Sequence, residues 1–406
     1  MPNLAKYEDC TGCAACFSVC GKGVIKMRSD NTGFLFPKID MQKCIECGLC
    51  EKSCPVITPV HKDSKLNNPH AYLLQHKNDT IRAESTSGGA FTAIAEETIS
   101  NGGIVFGASL EDDLVVRHIG VEKSEDLIKF RNSKYVQSEI GNSFIEVKTQ
   151  LLKGRKVCFS GTPCQISGLK NYLRKDYPNL ITVDFACNSV PSPLILKKYI
   201  ELKTEELGEF KRIVFRDKHR GYSYSTMSLY KDWNYQKSGK YLYRRGSESD
   251  EWLRLFLNGQ SVRLSCFNCQ FQDDARVADI SIADMWDPSK IAPDMNDNKG
   301  TTTIAVWTEK GREMINAISN DVRLFEYAIE DSSWVRPHNK KEPPNFDRNQ
   351  FYDDANAFSP KEFFQKYAPD GLSTKIKQTI RMLMWKIGLY DLIRNTKHYL
   401  VKRKKQ

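Results

Sequence analysis

Eight cysteines fall within the first 54 residues, and their spacing limits what the chain can fold into more than any other feature. Cys10, Cys13, Cys16 and Cys20 follow the pattern CxxCxxCxxxC; Cys44, Cys47, Cys50 and Cys54, with Pro55 behind the last, repeat it. Three thiolates two residues apart wrap one iron–sulfur cubane, while the fourth projects away and ligates a second one. The crossed assignment gives Cys10, Cys13, Cys16 and Cys54 to one 4Fe-4S cluster. Cys44, Cys47, Cys50 and Cys20 take the other. The intervening VIKMRSDNTGFLFPKID reads as a strand, an Asn-Thr-Gly turn and a second strand that folds the halves together. Two zinc sites are the alternative, but zinc takes its four ligands from paired CxxC or Cys/His sets rather than from overlapping triplets.

At 406 residues the chain exceeds one small core, so several domains are expected. Four regions separate: 1–59 with the eight cysteines, a polar linker at 60–69, an alternating strand-and-helix region at 70–335, and an extension at 336–406. The opening MPNLAKYEDC has no apolar stretch of the secretory kind, and no apolar run reaches membrane-spanning length. A cytoplasmic, reducing setting follows, where thirteen cysteines favour metal ligation over disulfides. The net charge of +10 is concentrated in residues 375–406, which hold ten Lys/Arg and the single acid Asp391. The remaining chain is close to neutral, which argues against nucleic acid as a partner.

In the central region, helix-like periodicity after Ser87-Gly88-Gly89 and again at 139–152 alternates with the short apolar strands IVFGASL, KVCFS, ITVDFAC, ADISIADMW and TTIAVW. The fold class is therefore α/β (mixed α+β). Cys164 lies in the turn after KVCFS and Cys187 ends ITVDFAC. Parallel strands bring both to one carboxyl edge, where α/β sheets form ligand sites. With the CxxC of Cys266 and Cys269 they supply four thiolates, enough for a third 4Fe-4S cluster. One zinc ion, or unrelated buried thiols, also fit that count. Cys158, flanked by Val157 and Phe159, reads as a core cysteine.

The N-terminal segment resembles bacterial-type two-cluster ferredoxins, with Gly21 after Cys20 where their pattern has Pro. The ordered motifs STSGGAFTAIAEETISNGG, SKYVQS, GTPCQISGL, ACNSVPSP, FRDK, CFNC and ADISIADMWD resemble the beta-subunit family of coenzyme F420 (deazaflavin) hydrogenases and dehydrogenases. That resemblance implies an oxidoreductase binding FAD beside a 4Fe-4S cluster on Cys164, Cys187, Cys266 and Cys269, exchanging hydride with a deazaflavin-like coenzyme. Electrons then pass through the clusters to a redox protein partner or pathway enzyme. Members also occur beside surface-polysaccharide synthesis, so the alternative is a non-catalytic electron-transfer adaptor for such an enzyme. Ser189, where the family has Gly, and Asp284-Met285-Trp286-Asp287, where it often reads DFWG, depart from the pattern near the expected site.

No GxGxxG fingerprint or Walker A loop is present. Flavin contacts are expected instead from Ser87, Gly88 and Gly89, whose N–H groups at a helix start suit a pyrophosphate. An ordinary helix cap with glycines for close packing fits them equally. Lys134 and Tyr135 suit a phosphate and a ring, or a solvated loop. Gly161, Thr162 and Pro163 shape the turn presenting Cys164. No nucleophile–His–acid set stands out, so catalytic side chains are unknown from sequence.

In residues 375–406, Ile376, Ile380, Leu383, Met384, Ile387, Tyr390 and Ile393 share a helical face, and KRKK ends the chain. This C-terminal basic amphipathic helix suits an anionic membrane surface, placing the protein at the inner face of the membrane. Docking on the chain's own body or on an acidic partner are the alternatives. Protein purified without oxygen is expected to be brown with flavin absorption peaks, and to hold about twelve iron atoms per chain by chemical analysis. A colourless, zinc-containing preparation contradicts the reading.

Overall fold

The computed structural model describes residues 2–60, 66, 69–233, 240–272, 276–331 and 343–390. Most of the expected linker at 60–69, the basic end 391–406 and Ile393 lie outside the described residues. Near the N-terminus β1 (Ile25–Ser29) and β2 (Leu35–Ile39) pair antiparallel with Ile25 opposite Ile39. Gly33, at φ +80°, makes the turn between them. A side chain could not replace it, because a Cβ there would stand 2.4 Å from Leu194 Cβ.

The main sheet draws on β3 (His70–His76), β4 (Ile104–Leu110), β5 (Val116–Val121), β6 (Val157–Gly161) and β7 (Leu180–Phe185). A hairpin sheet follows from β8 (Arg212–Asp217), β9 (Thr226–Tyr230) and β10 (Tyr241–Arg245), ordered β10-β9-β8. The chain then returns to the main sheet with β11 (Ile280–Met285), β12 (Thr301–Val306) and β13 (Val322–Tyr327). Its eight strands run β13-β3-β12-β11-β7-β6-β4-β5. The centre is parallel, β4 to β6 to β7 to β11, and the flanks are antiparallel. The sheet is thus mixed, as helices alternating with buried strands imply.

Burial explains the strand composition. β6, β7 and β12 are covered on both faces, so they read as continuous apolar or small-residue runs rather than alternating ones. Helices Ala90–Ser100, Ser143–Leu152 and Pro163–Leu173 supply the covering layers, with Ile94, Phe144, Val147, Ile166 and Leu169 fully buried. The start of the first of these helices packs so closely on the sheet that a Cβ on Gly88 would meet Leu74 O at 2.2 Å and Thr302 N at 2.7 Å. Cys158, 0 % exposed, sits in this core as a neighbour of Thr98.

One buried arginine joins the N-terminal module to the rest. Arg263, 1 % exposed, donates from Nε to Cys10 O (2.7 Å), from Nη2 to Leu35 O (3.1 Å) and from Nη1 to Gln137 Oε1 (2.8 Å). Its guanidinium lies 4.2 Å from the Phe36 ring centroid. Gln137 Nε2 in turn donates to Thr11 O, Ser192 Oγ to Thr32 O and Asn171 Nδ2 to Thr58 O.

The substitution Gly88→Ala tests the close packing at the helix start. Overpacking of this kind costs about 1–3 kcal/mol, so anaerobic thermal unfolding should show a clear destabilisation. An unchanged unfolding midpoint contradicts it.

Candidate cofactor cavity and cysteine sets

The parallel strands β4, β6, β7 and β11 point the same way, so their carboxyl ends share one edge of the sheet. Ligand sites of α/β sheets form at such edges, and here the wall encloses a cavity of about 760 Å³. Ser160 and Gly161 close β6, Phe185 ends β7 with Ala186 to Val190 following it, and Ile282 to Asp284 come from β11. The loop before helix Ala90–Ser100 and the segment Phe130–Val136 complete one side; Phe215 and Arg216 of β8 face it.

Of the residues expected at a flavin, Ser87, Gly89, Lys134, Tyr135, Gly161 and Thr162 stand on this wall. Gly88 and Pro163 lie behind it. The Gly88 N–H is taken by Thr302 Oγ1 (2.9 Å) and its carbonyl accepts from His76 N (2.7 Å), so close packing accounts for this glycine rather than a free donor. Pro163 is the first residue of helix Pro163–Leu173, where a missing N–H costs nothing. The Lys134 ammonium is turned into its own loop, donating to the carbonyls of Lys129 (2.8 Å) and Arg131 (2.9 Å). Burial, followed by the charge of Arg212, holds its pKa well below the usual lysine range. Tyr135 is wedged against Phe256 and Phe215, with ring centroids 5.1 and 5.9 Å away.

Several residues on the wall, and Lys218 behind it, carried no specific signal in the sequence. Arg216 is paired with Asp284 and lies 4.6 Å from the Trp286 ring centroid and 5.1 Å from that of Tyr222, the two rings themselves being 5.1 Å apart. Lys218 donates to the carbonyls of Arg82 (2.6 Å), Ser87 (3.0 Å) and Lys299 (2.8 Å), tying the helix-entry loop in place. Burial, then Arg82 and Arg216, depress its pKa to about 7. Both residues belong to FRDK, a string too short to be specific on its own. His118, stacked on Phe159 at 5.3 Å, also lines the cavity, with Nε2 3.0 Å from Ser160 O. Burial lowers its pKa to about 4, so it is neutral at pH 7. Arg131, Arg216 and Arg381 stand on the wall, ion-paired with Glu84, Asp284 and Glu248, and Arg216 keeps Nη2 without a hydrogen-bond partner among the described residues.

Arg381 and Tyr390 come from the C-terminal segment, whose described helix is Leu372–Lys386. Arg381 binds Glu248 (3.1 Å) and Ser225 O (3.0 Å) and lies 4.1 Å from the Tyr224 ring centroid, while Trp385 Nε1 donates to Arg220 O. The helix therefore docks on the hairpin sheet by its polar side. Its opposite face, Leu372, Ile376, Ile380, Leu383 and Ile387, is 48–75 % exposed. Among the described residues no helix is long and apolar enough to cross a membrane.

The cysteines group by mutual charge. Burial pushes the Cys13 thiol up to about 12, with Cys54 and Cys10 adding to the rise; Cys16 is raised by burial and then by Cys13, Cys10 and Cys54. These are the four thiols of the crossed assignment. In the other set, burial and then Glu51 and Cys47 raise Cys50, while Cys47 itself is exposed. Burial also raises Cys187, followed by Cys266, Cys164 and Cys269. Cys164 is raised by burial and by Cys269, Cys13 and Cys266, while Thr162 Oγ1, 3.1 Å from its sulfur, acts in the opposite sense. Four thiols gathered in a buried place would lose their protons only against a cationic core, and this donor set fits iron–sulfur chemistry. Among the described residues no three His, Cys, Asp or Glu side chains converge as ligands of a single metal ion. Cys164 thus feels Cys13 across the junction of module and sheet. A Cβ on Gly168, one turn along the same helix, would lie 2.9 Å from Cys13 Sγ.

Residues 154–332 match the family described as the carboxyl-terminal part of the coenzyme F420 hydrogenase/dehydrogenase beta chains, and residues 9–57 match the 4Fe-4S dicluster domain. A coenzyme F420-dependent sulfite reductase of Methanocaldococcus jannaschii is 25% identical over 321 residues, covering 76% of this chain. The chain spans 46% of that relative's length. An uncharacterized ferredoxin of the same organism is 33% identical over 71 residues, which are 16% of this chain and 91% of the ferredoxin. Among solved structures, one polypeptide of the F420-reducing [NiFe] hydrogenase complex from Methanosarcina barkeri aligns with TM-score 0.44 and 17% identity, covering 76% of this chain and 95% of that one. With the dicluster match lying on the paired cysteine triplets and the second match containing Cys164, Cys187, Cys266 and Cys269, residues 154–332 are similar to the carboxyl-terminal part of the coenzyme F420 hydrogenase/dehydrogenase beta subunits, and the chain carries a 4Fe-4S dicluster domain at its N-terminus.

Proposed function

We propose that the protein is an iron–sulfur flavoprotein oxidoreductase that moves electrons between a deazaflavin-like hydride carrier and a one-electron redox partner. The observation that carries this reading is the neighbourhood of Cys13 and Cys164. With Cys187 of the third set on the cavity wall and Cys47 of the other N-terminal set exposed, that neighbourhood supports a path from cavity to surface. FAD held in the cavity would supply the conversion between an electron pair and single electrons, and Cys164, Cys187, Cys266 and Cys269 and the two N-terminal sets would hold the 4Fe-4S clusters.

The protein's own groups orient and enclose. Thr86, Ser87 and Gly89 offer polar contacts at one end of the cavity, and Arg131 and Arg216 supply positive charge for phosphate or carboxylate oxygens. Lys218 and Lys134 hold the two loops rather than the ligand. Neutral His118 adds no charge to the part of the wall it shares with Gly161. Trp286 and Tyr222 pack against the Arg216 guanidinium and hold it in place.

Anaerobic protein is expected to contain FAD and, when mixed with reduced coenzyme F420, to bleach its flavin band before its clusters are reduced. Substitution Arg216→Ala should raise the KM for the coenzyme about tenfold or more, since a charge-assisted contact contributes about 1.5–3 kcal/mol. Iron-replete protein without flavin contradicts the enzyme reading and favours the adaptor serving a surface-polysaccharide enzyme.

The reading includes peripheral attachment to an anionic membrane through residues 375–406. Its support is the outward apolar face of helix Leu372–Lys386, with Lys375, Lys377 and Lys386 exposed around it. The protein is expected to sediment with vesicles containing phosphatidylglycerol, and the double variant Ile380→Asp, Leu383→Asp is expected to stay in the supernatant. Equal sedimentation with purely zwitterionic vesicles, or none with either, contradicts the attachment.

A further inference from the structure

Two arginines are buried among the cysteine sets, and their charges are balanced differently. Arg276, 1 % exposed, is ion-paired with Asp184 at 3.0 Å. Arg263 is buried to the same degree, yet its three hydrogen bonds go to the carbonyls of Cys10 and Leu35 and to the Gln137 amide oxygen. No carboxylate is paired with it among the described residues. A buried cation without a counter-charge costs far more than a paired one. What lies beside Arg263 is the backbone of the first cysteine set. Arg263 Nε is fixed on the Cys10 carbonyl at 2.7 Å.

We propose that Arg263 is the counter-charge of the cluster on Cys10, Cys13, Cys16 and Cys54, and that it raises this cluster's reduction potential. The inference rests on the reading of the chain as an electron conduit. Reducing a cluster adds one negative charge. Where Cys47 is exposed, water stabilises that charge. Around buried Cys13 no such solvation is available, and the middle of the conduit would be the hardest place to put an electron. A fixed cation held against the cluster offsets this, because net charge, hydrogen bonding and exposure set cluster potentials. Arg263 acts through the cluster and is a positioning and tuning residue, not a catalytic one.

The test is an EPR-monitored redox titration of the full chain, with iron and sulfide measured on every sample. Arg263→Gln removes the charge. Gln137→Glu leaves the arginine in place and adds a carboxylate opposite Nη1, so the proposal survives a failure of the first variant to fold. Each is expected to move one midpoint to more negative potential by about tenfold in the equilibrium constant, which is about 59 mV for one electron. Arg263→Lys, which keeps the charge and loses the fork, is expected to shift it by much less. The proposal is overturned if iron-replete Arg263→Gln and Gln137→Glu leave every midpoint in place, or if Lys shifts it as far as Gln. Wild-type protein without iron overturns the conduit reading itself, and that outcome is distinct from iron-replete variants whose midpoints do not move.

Discussion

The architecture hangs on the docking of a small cysteine-rich module against the carboxyl edge of a mixed sheet. Such a module is too short to bury a substantial core of its own, and its hydrophobic cluster around Val24, Ile25 and Cys50 is small. Its orientation is set by Arg263, which grips both halves of the module from one side and the Gln137 loop from the other. Gly12 makes that grip possible: at φ +69° a Cβ there would stand 2.7 Å from Gln137 Nε2 and 2.9 Å from Arg263 Nη1. Arg263 lies three residues before Cys266, so the segment that fixes the module also delivers a cysteine of the third set.

The cavity depends in turn on elements that have no place in the parallel core. The hairpin sheet contributes Phe215 and Arg216, and the C-terminal helix contributes Arg381. The hairpin sheet shares an apolar cluster with the main sheet, Phe215, Met227 and Leu229 packing with Leu110, Val116 and Val136, and polar contacts add to it: Arg216 to Asp284, Lys218 to the Ser87 carbonyl, Arg381 to Glu248. Arg381 approaches the hairpin so closely that a Cβ on Gly246 would stand 1.4 Å from Nη1. The helix thereby keeps its apolar residues outward, the reverse of the usual docking of an amphipathic helix on its own core.

How much of this could be read from sequence depends on whether the signal is local. The cysteine triplets are local, because cubane geometry imposes a fixed interval, and the crossed grouping of Cys54 with Cys10, Cys13 and Cys16 appears in their mutual charge effects. The strand–turn–strand between the triplets was legible from its Asn-Thr-Gly turn. The mixed sheet was legible as a class, whereas its strand order, with β3 between β12 and β13, arises from pairings more than 200 residues apart that no periodicity encodes. Gly88 illustrates the ambiguity of glycine, since close packing and anion binding ask for the same residue. Arg263 and His118 carried no signal in sequence, for an isolated arginine or histidine reads as surface until its burial is known.

The claim on which everything else stands is that the buried N-terminal set and the set around Cys164 hold clusters near enough to act on each other. EPR of the fully reduced protein measures this directly, because neighbouring paramagnetic clusters broaden and split one another's lines. The account predicts an interaction spectrum in the wild type that simplifies in Cys187→Ser, where the third set is broken while the eight N-terminal cysteines are intact. An N-terminal signal with the same shape in both proteins, at full iron occupancy, would contradict it.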